Sequence, residues 1–281
     1  MTASSLGSSW LHLPHCESTN DELIRLGRAG AAHGSVVTAD AQGRGRGRQG
    51  RAWFSPPGDN LYLSVLLRPP LPPHRAPPLC LAAGLALFDA VSALLQEAGV
   101  GSAIDLRLKW PNDLLAAPRL ASAATEYRKL GGILTELFGL SGSIDFVVIG
   151  IGCNVRTRDF PVGVPATSLA CLLPPSAVDG RPPLSPRLVA ERFLASLFHW
   201  YERYLQSGPA PITEAFSAYA SLGPSHPPVE VKLRPDEPSL RGIPIALGPD
   251  GELLLQTAAG IERVLSGDVV MAPLLPTAAP R

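Results

Sequence analysis

Residues 60–68, N-L-Y-L-S-V-L-L-R, alternate Leu61, Leu63, Val65 and Leu67 against Tyr62, Ser64 and Leu66. Both faces are apolar, the mark of a strand at the centre of a sheet. Residues 104–110 alternate more cleanly, with Ile104, Leu106, Leu108 and Trp110 on one side and Asp105, Arg107 and Lys109 on the other. Pro111 ends that strand and Asn112-Asp113 turns the chain. Shorter or glycine-bearing strands are predicted over 34–38, 129–138 and 144–155, with Gly131, Gly132, Gly150 and Gly152 in the last two. Interior strand glycines often mark a place where a ligand lies against the sheet. The 116–128 stretch, small and polar, reads as a loop.

Helical patterns lie between these strands. Thr19-x-x-Glu22 reads as a capping box and Gly30 as a stop, which predicts a helix over 20–29. The long apolar stretch over 76–98 is interrupted by Asp89 and Ser92 and closed by Gly99, so it reads as a core helix and not a membrane span. A third helix over 187–206 turns Phe193, Phe198, Trp200, Tyr201 and Tyr204 inward, and a shorter one covers 211–221. Past Pro224–Pro228 the pattern changes to short strands: V-E-V-K-L, R-G-I-P-I-A-L, a Pro-Asp-Gly turn, E-L-L-L-Q-T, I-E-R-V-L and G-D-V-V-M. Such spacing predicts a small SH3-like barrel. The expected architecture is α+β, with a large domain over 1–224 and a small one over 225–281.

One stretch fits neither period. Gln42–Ser55, Q-G-R-G-R-G-R-Q-G-R-A-W-F-S, interleaves glycine with Arg44, Arg46, Arg48 and Arg51. Glycine costs backbone entropy in regular elements, and these arginines share no apolar face. Glycines do let backbone N–H groups approach a ligand, and guanidinium forks suit phosphate or carboxylate oxygens. The stretch reads as an anion clamp, mobile until an anion arrives. It is neither a Walker A loop nor a dinucleotide-binding fingerprint. An RNA-binding Arg/Gly segment and a bare surface loop are the competing readings. Against both, the stretch sits between two predicted strands.

The chain of 281 residues is 46% hydrophobic with a formal net charge of zero, enough for a substantial core and without a general basic field for nucleic acid. Its 30 prolines are about twice the usual share and cluster over 69–73, 174–186 and 224–228, as rigid surface connections. Cys16, Cys80, Cys153 and Cys171 show no C-x-x-C spacing and are expected reduced and buried in a cytoplasmic protein, with no metal site. The first residues lack a signal-peptide pattern. On spacing alone Ser18, Thr19 and Asn20 merely cap a helix, and Lys109 and Lys129 are solvated surface lysines.

Taken together, the motifs resemble the biotin protein ligases. The resemblance rests on E-S-T-N (17–20), the 42–56 stretch, N-L-Y-L-S (60–64), L-K-W-P-N-D-L (108–114), K-L-G-G-I-L-T-E (129–136), G-I-G-x-N (150–154) and the late G-D-V (267–269). It implies a catalytic domain related to class II aminoacyl-tRNA synthetases and lipoate ligases, followed by an SH3-like domain. Anchoring the loop on Gly50-Arg51-x-Trp53 sets the family's glycine–arginine repeat on Gly45, Arg46, Gly47 and Arg48, and leaves Arg44 with no implied role.

By that resemblance the activity is biotin–[biotin carboxyl-carrier protein] ligation through biotinyl-5′-AMP, with biotin and Mg-ATP as substrates. Ser18, Thr19, Asn20, Gln42, Gly45, Arg46, Gly47, Arg48, Lys129 and Gly150 would bind biotin, which reverses the capping reading of the first three. Arg48, Trp53, Asn112, Lys129, Gly131, Gly132, Ile133, Gly152 and Asn154 would bind the nucleotide. Lys129, Arg46, Arg48 and Asp113 would act in the chemistry. The implied partner is the biotin carboxyl carrier domain of a biotin-dependent carboxylase. DNA is not expected as a partner, since fewer than twenty residues precede Ser18, nor is a membrane, since the long apolar stretch reads as a core helix. Strand addition to form a homodimer stays open, as do lipoate or octanoate transfer on the same fold and an RNA-binding module without catalysis. The segment between Leu115 and Lys129 is longer than the family pattern, which bears on the register of Lys129.

Overall fold

A computed structural model describes residues 6–119, 126–140, 142–179, 184–233 and 238–270. The chain runs through β1 (Trp10–Leu13), α1 (Thr19–Arg28), β2 (Val36–Ala39), β3 (Leu61–Leu67), α2 (Pro78–Glu97), β4 (Ile104–Lys109), β5 (Asp113–Pro118), β6 (Arg128–Phe138) and β7 (Phe146–Cys153). Two single-turn helices follow, α3 (Leu169–Leu172) and α4 (Pro175–Val178), then α5 (Pro186–Ser207) and α6 (Ala210–Tyr219). The last strands are β8 (Val229–Lys232), β9 (Leu240–Leu247), β10 (Leu253–Thr257), β11 (Gly260–Val264) and β12 (Asp268–Val270).

Seven strands form one sheet in the order β1-β2-β3-β7-β6-β5-β4, antiparallel except for the β1–β2 pair. Every residue of β3 is buried, as its two apolar faces require. Leu61, Leu63, Val65 and Leu67 join the main core with α2 and α5, while Leu66 turns to the other face and packs with Leu23 and Ile24 of α1. Asp21 and Glu22 in the first turn of α1, with Arg25 and Arg28 in its last, complement the helix dipole. Ser185 caps α5 by accepting from the Leu188 amide at 3.2 Å, with Pro186 at the first helical position. Helix α2 is long and apolar enough to cross a membrane. Here it lies buried against the sheet and α5. The short α1 covers only part of the second face of the sheet, and the glycine-bearing strands form the remainder of that face.

The C-terminal strands pair in the order β11-β10-β9-β8-β12, all antiparallel, with no β11–β12 pairing among the described residues. Val229, Val231, Leu253, Leu255, Val264 and Val269 belong to the same apolar cluster as α2 and the large sheet. The Trp110 indole donates to the Gly251 carbonyl at 2.9 Å across that junction.

Several local expectations change. Ser18 is the cap residue of α1 and makes no side-chain capping bond, so the Thr19/Glu22 box is not formed; Thr19 is already helical and its hydroxyl bonds elsewhere. Strand β5 continues through Pro118 because Ala116 and Ala117 pair with Leu106 and Asp105, which shortens the predicted loop. Residues 120–125 of that loop and 180–183 of the proline cluster lie outside the described residues. Strand β1 was not predicted; its four residues alternate too briefly to show. Phe198 is only half-buried. Of the cysteines only Cys153 is buried, with Cys171 exposed and Cys16 and Cys80 between; all four are free.

Candidate functional site

The uncovered part of the second face holds a cavity of about 140 Å³. Strands β6 and β7 give its floor through Gly132, Ile133, Leu134, Gly150, Ile151 and Gly152. The start of α1 gives one wall. The 42–55 loop closes over it as a small hairpin, in which the Gly47 amide donates to the Arg51 carbonyl at 2.7 Å and the Trp53 amide to the Gly45 carbonyl at 2.8 Å.

At one end the side chains are neutral and buried. Gln42 Oε1 accepts from the Thr19 amide at 2.9 Å and from its hydroxyl at 3.2 Å, and Gln42 Nε2 donates to Ser55 Oγ at 3.2 Å. Ser64 Oγ lies 2.5 Å from Asn20 Oδ1 and 2.8 Å from Thr19 Oγ1. Asn20 Nδ2 donates to Glu136 Oε2 at 2.7 Å. Gly150 is required here by space, since a Cβ would come within 2.8 Å of Asn20 Cγ. The helix start is thus a fixed hydrogen-bonding wall, and Ser18, Thr19 and Asn20 are each 4% exposed.

At the other end the groups are charged and each cation faces a carboxylate. Arg46 bonds Asp21 at 2.6 Å and Glu136 at 3.0 Å. Arg51 bonds Asp268 at 2.9 Å, and Arg48 donates to the Gly267 carbonyl at 3.1 Å. Lys129 Nζ sits 2.6 Å from Asp113 Oδ1, out of line for a directed hydrogen bond to that oxygen. The same ammonium lies 5.2 Å from the centroid of the Trp53 ring, near enough for cation–π attraction. Trp53 in turn lies flat on the floor: a Cβ on Gly152 would fall 2.7 Å from its Nε1, a buried donor with no acceptor. Lys109 pairs opposite Asp113 in the β4–β5 hairpin, and burial pushes its pKa down against the upward pull of that carboxylate. Neither Lys109 nor Lys129 is the fully solvated lysine that spacing alone suggested.

Of the residues singled out by sequence, Ser18, Thr19, Asn20, Gln42, Arg46, Gly47, Arg48, Trp53, Asn112, Lys129, Gly132, Ile133, Gly150 and Gly152 line this one cavity. Four others do not. Gly45 lies inside the hairpin, close to Ser55 and Gln42. Gly131 faces α2, where a Cβ would meet Leu87 at 2.7 Å, because adjacent strand residues point to opposite faces. Asn154 Nδ2 donates to the Thr167 carbonyl at 2.9 Å and so fastens the following loop. Asp113 stands behind Lys129. Arg44 pairs with Glu17 at 2.7 Å away from the cavity. Sequence reading gave no role to Ser64, Glu136 or Asp268. The first two carried a signal, a hydroxyl and a carboxylate inside otherwise apolar strands; Asp268 carried none beyond its place in the late G-D-V.

The arrangement offers neutral hydrogen-bond partners at one end and anion-binding groups at the other, as needed for a neutral polar ring joined to an acid and a phosphate. Comparison with known proteins points the same way. The profile of the Biotin/lipoate A/B protein ligase family matches residues 14–154. The chain is 31% identical to the "Bifunctional ligase/repressor BirA" of Bacillus spizizenii over 94% of its own length and 74% of that protein's. It is 32% identical to the "Biotin--[acetyl-CoA-carboxylase] ligase" of Mycobacterium tuberculosis, covering 94% of this chain and 90% of that one. Among solved structures, the Aquifex aeolicus biotin protein ligase in complex with biotin and ATP superposes with a TM-score of 0.69 at 26% identity, covering 94% and 98% of the two chains.

Proposed function

We infer from this kinship that the chain, which belongs to the Biotin/lipoate A/B protein ligase family, is a biotin protein ligase that joins biotin to a lysine of a biotin carboxyl carrier protein through biotinyl-5′-AMP. In the first step a biotin carboxylate oxygen bonds to the α-phosphorus of ATP and the bond to pyrophosphate breaks. In the second, the neutral Nζ of the acceptor lysine attacks the carbonyl carbon of the mixed anhydride, an amide forms and AMP leaves.

The observation that carries the residue assignment is the polarity of this cavity. A neutral ureido ring matches Thr19, Asn20 and Gln42, whose polar atoms are already bonded within the protein and need only small rearrangements to accept it. Ser18, buried beside them, completes that wall. Arg46 and Arg48 face the carboxylate and phosphate, and Lys129 the α-phosphate, where negative charge develops in the transition state. Trp53, Asn112, Gly132, Ile133 and Gly152 shape the nucleotide end. Gly131 and Asn154 support it from behind, and Gly45 and Gly47 let the hairpin close. Asp113 holds Lys129 in place between turnovers.

Mg²⁺ fits as an ion carried by the nucleotide. Among the described residues no three His, Cys, Asp or Glu side chains converge to cage a metal. Mg²⁺ keeps waters and rides on phosphates, so no cage of protein ligands is required. Bound there, it would neutralise phosphate charge. Residues 225–281 are proposed as a second, SH3-like unit beside a catalytic unit over 1–224. The four free cysteines support a cytoplasmic setting. The formal charge of zero and the carboxylate-paired loop arginines support ligation without specific DNA binding. The large sheet ends in β1 and β4, and an edge strand is where a second copy would add by strand pairing.

ATP–pyrophosphate exchange tests the reading. Exchange should require biotin, and lipoic acid should not replace it. Exchange supported equally by lipoic acid would move the chain to the other branch of its family, and exchange with neither acid would remove the assignment.

A further inference from the structure

Arg48 and Arg51 reach out of the catalytic hairpin to the turn between β11 and β12. Arg48 Nη1 donates to the Gly267 carbonyl at 3.1 Å and Nη2 to Ser266 Oγ at 3.2 Å. Arg51 Nη2 lies 2.9 Å from Asp268 Oδ1 and 2.9 Å from Oδ2, and Arg48 Nη1 stands 3.5 Å from Oδ1. Ser266, Gly267 and Asp268 thus offer a hydroxyl, a carbonyl and a carboxylate to two guanidinium groups. The turn itself is pressed onto β8, since a Cβ on Gly267 would come 2.9 Å from Val231 Cγ1 and 3.0 Å from the Lys232 carbonyl. Arg48, mostly buried, lines the reaction cavity while so held. Asp268 also acts on the half-buried Lys109. Four cations, Arg48, Arg51, Lys109 and Lys129, therefore share this corner with two carboxylates, Asp113 and Asp268.

We propose that Asp268 is a positioning residue for adenylate formation, through which the C-terminal sheet holds Arg48 and Arg51 where the phosphates of ATP must lie. The inference rests on the reading of Arg48 as a phosphate partner and adds the residue that sets it there. An untethered arginine loses its rotamer freedom when it engages a ligand. A guanidinium already oriented binds the phosphates of ATP without first losing that freedom. Each guanidinium has five N–H donors, so two or three spent on the turn leave others for phosphate oxygens. The adjacent cations repel one another, and a single carboxylate shared by two arginines keeps them together. Asp268 is not among the residues that line the cavity, and it makes no contact with the neutral wall of Thr19, Asn20 and Gln42.

The test compares the wild type with Asp268→Asn and Asp268→Glu in the full chain. Three measurements are needed: biotin-dependent ATP–pyrophosphate exchange, calorimetric biotin binding without nucleotide, and thermal melting. Wild-type exchange with biotin first establishes the ligase reading on its own. The Asn variant should then raise the KM for ATP about tenfold, with the Kd for biotin and the melting temperature close to wild type. The Glu variant, which keeps the charge, should recover most of that loss. Ser266→Ala, a milder loosening of the same turn, should raise the KM for ATP by a smaller factor. An unchanged or lowered KM for ATP in Asp268→Asn would overturn the proposal. So would a parallel loss of biotin affinity and melting temperature, which would make Asp268 a folding residue only.

Discussion

The two ends of the cavity are built on opposite plans. At the α1 end, Thr19, Asn20, Gln42 and Ser64 satisfy one another at 2.5–3.2 Å inside the protein. Only small shifts of these side chains are needed to admit a neutral polar ring. At the loop end, Arg46, Arg51 and Lys129 are each lent to a carboxylate, Asp21 with Glu136, Asp268 and Asp113 respectively. A bound anion has to replace or share those partners. Preformed geometry suits recognition of a neutral group, whose hydrogen bonds are individually modest. Exchangeable ion pairs suit a charge that changes along the reaction, because paired cations stay in place between substrates without closing the site. Each of the hairpin's arginines is matched by a carboxylate of Glu17, α1, β6 or the C-terminal sheet, or by the backbone of that sheet.

The contrast breaks hardest at Lys129. Lys129→Ala should lower the rate of biotin-dependent exchange by roughly 10²–10³, the usual cost of one charge-stabilising donor. Biotin affinity measured without nucleotide should change little, because the ammonium sits at the other end. Near wild-type exchange would mean that Lys129 is not the active lysine. Gly150→Ala attacks the preformed end. Its Cβ would strike the Asn20 amide, and overpacking of this kind costs about 1–3 kcal/mol. Biotin binding should weaken and the melting temperature fall together, and a variant with normal biotin affinity would show that Asn20 can yield.

Smaller effects sharpen the same comparison. Asp21→Asn removes one of the two carboxylates on Arg46, both partners being substantially solvated, so the change in stability should stay within about 1 kcal/mol. A large drop in the denaturation midpoint would show that the charged end is as rigid as the neutral one. The slightest perturbation is chemical. Burial pushes the Cys80 thiol up to about 11 and the Cys153 thiol up to about 12, so both stay protonated near neutral pH. Alkylation followed by mass spectrometry should label the exposed Cys171 well before either. ATP with biotin should leave the Cys171 rate unchanged, since Cys171 lies outside the cavity lining.

Much of this was legible in the residues. The apolar faces of 60–68, the alternation over 104–110 and the long stretch over 76–98 fixed β3, β4 and α2 to within a few positions. The five short C-terminal strands followed from their turn residues. These features are local: a period of two or of 3.6 is written in neighbours, and burial follows from it. The glycines at 132, 150 and 152 lie on the cavity floor, where Asn20 and Trp53 come close to the sheet. What the sequence left undecided depends on partners distant in the chain. Asp268 lies 217 residues from Arg51, and Glu136 lies 116 from Asn20. No periodicity encodes such pairs. Nor does it say that Gly131 looks toward α2 while Gly132 looks into the cavity, which the pairing of β6 with β7 settles. Strand β1 exists only because β2 offers it a parallel edge, and the capping pattern at Thr19 gave way because Gln42 and Ser64 compete for that hydroxyl. Local chemistry chose the elements; long-range hydrogen bonds and ion pairs, formed only once the sheet had brought those elements together, chose which side chains make the site.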